Sequence, residues 1–265
     1  MQWLLQEFDD TRKLAEALDR LDIPYTWHKV VPFVGELIPE PVVADPEAVV
    51  MFGAYSLWRY AEAKGYWPGV FKLRPFVQEQ AWHPYLLNGA DALFVTLRDV
   101  PERLADDGTE WFLRPVDDSK EEPGNVKLTG EIIHMAERVL VLDEDEIPDG
   151  SLRHDTLLML TKPVRILHEW RLWAVNGRVV TYSLYKDGSC VIHRHEIGED
   201  VLDFAQRMVD INPGYSPAYV IDICRTEEGL KLLETNCVNA AGFYSADLVK
   251  LAAAIDGLVR LGSSQ

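Results

Sequence analysis

Residues 218–236 read AYVIDIC-RTEEG-LKLLETN, two apolar runs on either side of a polar turn, the pattern of a β-hairpin. Side chains alternate along a strand, so Glu234 and Asn236 share one face. A hairpin centred near residue 228 sets Asp222 opposite Glu234, with Cβ atoms ~5 Å apart. Two carboxylates and an amide oxygen then converge among the apolar Val220, Ile221, Leu232 and Leu233. Like charges facing each other destabilise a strand pair, so something must offset the repulsion. A hard divalent cation does so, and Mg²⁺ takes oxygen ligands, usually one or two carboxylates plus substrate phosphates. The plainer alternative is a solvated strand face, with both acids hydrated or paired with lysines.

Upstream lies more antiparallel pattern. Residues 169–175 and 178–185 flank Asn176-Gly177, a strong hairpin turn signal, and Asp187-Gly188 leads into a third strand over 189–195. On the first of these strands Glu169 and Arg171 share a face, a common way to aim a guanidinium at phosphate; an ordinary surface ion pair is the alternative. Residues 200–210 read as a helix. Residues 245–261 read as an amphipathic helix with Leu248, Leu251, Ala252, Ile255, Leu258 and Val259 inward and Ser245 as N-cap.

The front of the chain has a different period. A helix over 11–21, a strand over 25–31, a short apolar strand over 48–52 and a helix over 54–64 predict β/α units around a small parallel sheet. The middle predicts strands at 93–96 and 110–114 around a short helix at 100–105. A mobile polar loop is expected over 115–130. No Pro/Gly/Ser linker separates front from back, and the fold class is α+β with an α/β front end.

Charge narrows the function. The 265 residues carry a formal net charge of −17, with 48% hydrophobic and 10% aromatic residues. That is too apolar for a disordered acidic chain, and its negative field argues against non-specific nucleic-acid binding or an anionic membrane surface. Residues 101–150 alone hold 15 acids and 5 bases. Any phosphate must therefore be met by a few discrete cations. Arg114, at a strand end beside the polar loop, with Lys120 and Lys127 within it, could close over phosphates. The N-terminal run has no signal-peptide pattern and no stretch is long and apolar enough to span a membrane, so a cytoplasmic location is expected. Three widely spaced cysteines, Cys190, Cys224 and Cys237, read as buried reduced thiols. His193, His195 and Glu196 offer a rival zinc-hydrolase set, but no third ligand is obviously placed beside the two histidines.

In this order the pieces resemble the ATP-grasp superfamily. The resemblance rests on Asp222 followed by the Glu234-x-Asn236 string, on the Glu169-x-Arg171 strand, and on Arg114-Pro115 where most members carry Lys-Pro. The last feature, a run from Pro163 to Arg171 and a closing string of Ala241, Gly242, Phe243 and Tyr244 are similar to a divergent group with an RP…K signature, associated with phage and bacterial conflict. What the resemblance implies is an ATP-grasp-like fold, with a pre-ATP-grasp-like α/β subdomain over 1–90. Two α+β subdomains gripping the nucleotide would follow over 91–265. It further implies an ATP- and Mg²⁺-dependent ligase that joins a small-molecule or peptide carboxylate to an amine, less often a thiol, through an acyl phosphate. Asp222, Glu234 and Asn236 would hold Mg²⁺. Arg114, Lys120 or Lys127, and Arg171 would contact phosphates. Residues 161–167, including Pro163 and Ile166, would form the adenine hinge, and Glu169 would orient Arg171 or meet the ribose. Arg194 would hold the acceptor carboxylate or the γ-phosphate. The alternative within this fold is a non-catalytic nucleotide-binding module.

Overall fold

The computed structural model describes residues 1–31, 35–54, 57–87, 89, 91–116, 124–148 and 150–262. The front segment runs β1 (Gln2–Gln6), α1 (Asp9–Arg20), β2 (Tyr25–Val30), β3 (Leu37–Ile38), β4 (Val49–Phe52), α2 (Leu57–Lys64) and β5 (Pro68–Gly69). Their sheet has the order β3-β2-β1-β4-β5. β1 pairs in parallel with β2 and β4, β4 pairs in parallel with β5, and β3 adds an antiparallel edge. The expected parallel sheet is there, and the apolar run at β4 shows why. Val49, Val50, Met51 and Phe52 are all fully buried. Val50 and Phe52 face one cluster with Trp3 and Leu5, while Val49 and Met51 face another with Leu4 and Leu57.

The middle segment runs β6 (Leu93–Thr96), α3 (Val100–Arg103), β7 (Glu110–Pro115), β8 (Asn125–Leu128), α4 (Thr129–Leu140) and β9 (Leu157–Thr161), with sheet order β6-β9-β7-β8, all pairs antiparallel. One face is covered by an apolar cluster that includes Val95, Leu113, Leu158 and Leu160 with Ile132 and Ala136 of α4. The polar loop expected over 115–130 is corrected in part. Its second half is β8 and the start of α4, because pairing with β7 and a helix start supply partners for polar backbone. The Leu128 N–H donates to the Glu131 carboxylate at 2.8 Å and the Thr129 N–H to the Thr109 carbonyl at 2.9 Å. Residues 117–123, which include Lys120, lie outside the described residues.

The last segment runs β10 (His168–Val175), β11 (Arg178–Asp187), β12 (Cys190–Arg194), α5 (Glu199–Ile211), β13 (Ala218–Thr226), β14 (Gly229–Asn236) and α6 (Leu248–Gly262). The antiparallel sheet order is β12-β11-β10-β13-β14. α6 begins three residues later than expected. Asp247, not Ser245, caps it, accepting from the Lys250 N–H at 3.1 Å. Ser245 instead docks the approach on β11, its N–H donating to Ser183 Oγ at 3.2 Å. Cys224 and Cys237 are buried, but Cys190 is exposed because it opens the edge strand β12.

By contacts the chain forms two units, residues 1–73 with 166–265, and residues 74–165. This differs from the sequential division at residue 90. The front sheet shares its core with the last segment: Trp3, Phe52, Trp173, Val220, Leu251 and Ile255 belong to one buried cluster. Among the described residues no helix is long and apolar enough to cross a membrane.

Candidate functional site

The hairpin β13–β14 starts as a two-residue turn, with Thr226 opposite Gly229 and Ile223 opposite Leu232. The register then shifts between Ile223 and Asp222, so that Asp222 faces Glu234 and Val220 faces Asn236. Leu233 is the extra residue of a β-bulge. In an unbroken ladder Asp222 would face Leu233, and Glu234 would turn to the other side of the sheet. The bulge therefore assembles the acidic pair. Asn236 Nδ2 donates to Glu234 Oε1 at 3.0 Å and lies 3.4 Å from Asp222 Oδ2. Asp222 is fully buried. Burial pushes its carboxyl up, to about 7, against the downward pull of Arg171, and Glu234 adds to the rise.

The repulsion is offset by an arginine from the neighbouring strand. Arg171 stands opposite Asp222 across the β10–β13 pair. Its Nε donates to Oδ1 at 3.0 Å and its Nη2 to Oδ2 at 2.7 Å, a bidentate fork. Nη1 reaches the Gly242 carbonyl at 3.5 Å. The guanidinium lies 4.9 Å from the Tyr244 ring and 5.7 Å from the Tyr185 ring, and the two rings stack at 5.2 Å. Tyr244 holds φ +50°, a left-handed conformation uncommon for a bulky residue.

Arg171 is thus held by Asp222 and not by its same-face neighbour Glu169, which corrects the orienting role expected for Glu169. Glu169 accepts from Tyr185 Oη at 2.6 Å and from Lys186 Nζ at 2.8 Å. A second bulge explains this. Glu169 pairs with Lys186 but Trp170 with Leu184, so the extra Tyr185 crowds beside Lys186. Burial, with Asp222 and Glu169 nearby, holds the Tyr185 phenol well above its usual range, so it remains a donor.

The remaining expected residues are spread further. Arg114, on β7, faces Met159 and packs 5.1 Å from the Phe76 ring. Lys127, on β8, pairs with Trp111 and so points to the opposite face of that sheet from Arg114. Pro163 is exposed and Ile166 half-buried in the connection between β9 and β10. Leu167 is engaged through its backbone, donating to the Arg225 carbonyl at 2.8 Å and accepting from the Gly188 N–H at 2.6 Å. Arg194 lies exposed on β12, 3.8 Å from Glu196. His193 packs 4.8 Å from the Tyr244 ring and His195 stacks on Tyr182 at 4.4 Å. Among the described residues, no three His, Cys, Asp or Glu side chains gather into a metal-binding group.

Sequence reasoning passed over Asn239. It is buried, accepts from the Phe71 N–H at 2.9 Å through Oδ1, and donates through Nδ2 to the Met51 carbonyl. It staples the 237–243 loop to the front sheet. The signal available was an amide set in the apolar string CVNAAGF. That loop, Asp9 and Asp10 at the start of α1, and Gly53 line a cleft of about 360 Å³.

The donor set of Asp222, Glu234 and Asn236 is all hard oxygen, already converged and only part-neutralised by Arg171, and so fits a magnesium ion. This arrangement and the fold around it are those of an ATP-grasp protein. The pattern of an ATP-grasp domain family, the third family of its clade, matches residues 60–255, and the chain belongs to that family. The structure is similar to that of the D-cycloserine synthetase DcsG, at TM-score 0.63 and 15% identity over 98% of this chain and 100% of that one. It is similar to a D-alanine–D-alanine ligase from Bacillus anthracis complexed with ATP, at TM-score 0.60 and 12% identity over 99% and 97%. It is also similar to the ATP-grasp ligase PsnB complexed with precursor peptide PsnA2 and AMPPNP, at TM-score 0.52 and 14% identity over 97% of each chain. No curated protein matches the sequence.

Proposed function

We propose that the protein is an ATP- and Mg²⁺-dependent ligase that joins a carboxylate to an amine. The observation that carries this reading is the bulged hairpin that turns Glu234 and Asn236 onto Asp222, with Arg171 held against them. In the proposed reaction a substrate carboxylate oxygen attacks the γ-phosphorus of ATP. The bond to the β-phosphate oxygen breaks, and ADP leaves with the electron pair. The amine then attacks the acyl carbon, inorganic phosphate departs, and the amine's proton passes to solvent. Bound at Asp222, Glu234 and Asn236, magnesium would neutralise charge on the phosphates. Arg171, sharing Asp222 with the metal, can turn part of its fork to the transferring phosphoryl group, while Tyr185 and Tyr244 hold its plane. Arg114 and Lys120 are the proposed phosphate contacts of the middle segment. Lys127 is the weaker candidate because it faces away from Arg114. Pro163 and Ile166 belong to the proposed base-binding hinge, and Glu169 would meet the ribose. The cleft beside Asp10 and Phe243 would take an acceptor, a small molecule or a peptide end, and Arg194 would bind its carboxylate. An ATP-consuming ligase works where ATP is supplied, and the cytoplasm is the proposed location.

Saturating Mg·ATP, at about 100 times its Kd, should stabilise the fold by about 2.7 kcal/mol. That corresponds to a rise in Tm of roughly 5–10 °C for a chain of this size. Glu234→Ala should abolish the rise. A shift of the same size in that variant would sink the metal assignment. A non-catalytic module has one observation in its favour, the occupation of both Asp222 oxygens by Arg171. It predicts ATP binding without ADP release across a broad panel of acids and amines.

A further inference from the structure

The face of the middle sheet that turns away from its apolar cluster is distinctive. Register places Phe94, Met159, Thr161, Phe112 and Arg114 on it: Phe94 pairs with Met159, Met159 with Arg114, and Thr161 with Phe112. It is an aromatic and thioether platform with one arginine and one hydroxyl. Thr161 closes β9, immediately before the connection that carries Pro163 and Ile166. It is only 3% exposed, and its Oγ1 has no hydrogen-bond partner among the described residues.

A buried hydroxyl without a partner costs about 1–3 kcal/mol, so a strand that keeps one either carries a defect or awaits a partner. Valine has nearly the same shape and would fill this position without the penalty. A planar, largely apolar ligand with hydrogen-bonding edges suits the platform, because pockets for such ligands are mostly apolar with a few placed polar groups. A hydroxyl can donate or accept by rotating, so it can meet either a ring nitrogen or an exocyclic amino group.

We propose that Thr161 Oγ1 hydrogen-bonds the nucleobase, and that this contact ties ATP affinity to the base and not only to the phosphates. The inference rests on the ATP-binding reading above. Its test uses the full chain, titrated by calorimetry with Mg·ATP and with Mg·tripolyphosphate, which has no base. Thr161→Val should weaken Mg·ATP binding about three- to tenfold, the range of one neutral hydrogen bond. It should leave tripolyphosphate affinity unchanged, and Thr161→Ser should keep wild-type ATP affinity. The unliganded Thr161→Val protein should melt at or above the wild-type temperature, because the orphaned hydroxyl is gone. Equal ATP affinity in wild type and Thr161→Val overturns the base contact while leaving the nucleotide reading intact. Parallel losses for ATP and tripolyphosphate overturn it too, since they mark a general distortion. A wild-type protein that binds neither probe overturns the nucleotide reading itself.

Discussion

The front sheet and the last sheet bury their central strands almost equally, but with opposite chemistry. β4 is Val-Val-Met-Phe, fully buried, with no side chain that needs a partner. β10 and β13 are as deeply placed and carry Glu169, Arg171 and Asp222 at 6%, 8% and 0% exposure. Apolar burial is satisfied by any dense packing, whereas buried charge is tolerated only in one geometry. The first sheet is built for stability, and the second keeps a costly arrangement that stability alone would not retain.

Truncation should separate the two sheets by mechanism more than by size. Arg171→Leu leaves Asp222 buried and unpaired, and should lower unfolding free energy by about 3–5 kcal/mol in urea titrations. Phe52→Ala opens a cavity of comparable cost, about 3–5 kcal/mol. The distinction is the response to ligand: Phe52→Ala should keep the full Mg·ATP-induced stabilisation, and Arg171→Leu should lose most of it. If both kept it, the charged strip would be structural only.

Asn239 joins the two regions, and its loss should be felt in both. Asn239→Ala strands the buried Phe71 N–H and Met51 carbonyl, for an expected cost of about 2–3 kcal/mol by the same titration. A cost below ~0.5 kcal/mol would mean that water replaces the amide. The smallest expected effect has the opposite sign. Glu234→Gln removes the like charge facing Asp222 and should raise unliganded stability by about 0.5 kcal/mol, while weakening Mg²⁺-dependent ATP binding. Loss of stability in that variant would show that Glu234 is held by favourable contacts and not strained by repulsion.

The residues reveal much of this, and unevenly. Strand alternation and the turns at Asn176-Gly177 and TEEG are local signals, so the last sheet could be read directly. The pairing of Asp222 with Glu234 was legible only because a hairpin centre at residue 228 already contains the bulge; the turn itself is centred half a residue earlier. The partner of Arg171 was not legible. Glu169 is two residues away in sequence and Asp222 fifty-one, and the β10–β13 pairing that joins Arg171 to Asp222 skips two strands. Strand β8 was hidden in a polar run, because an edge strand needs backbone partners more than apolar side chains. The two-unit division left no trace in composition, since no linker marks where the chain leaves the first unit at residue 73 or returns at 166.

That return has a consequence for how the molecule comes into being. On a ribosome, the middle sheet has all four strands once residue 161 has emerged. The front sheet, although made first, must wait for Trp173, Val220 and finally Ile255 to complete its core. At about 5–20 residues per second, that leaves β4 without its C-terminal cover for roughly 10–40 s. The most apolar strand of the protein is therefore the one exposed longest during synthesis. Its early neighbours β1, α1 and α2 are its nascent-chain shelter before they are parts of the finished fold.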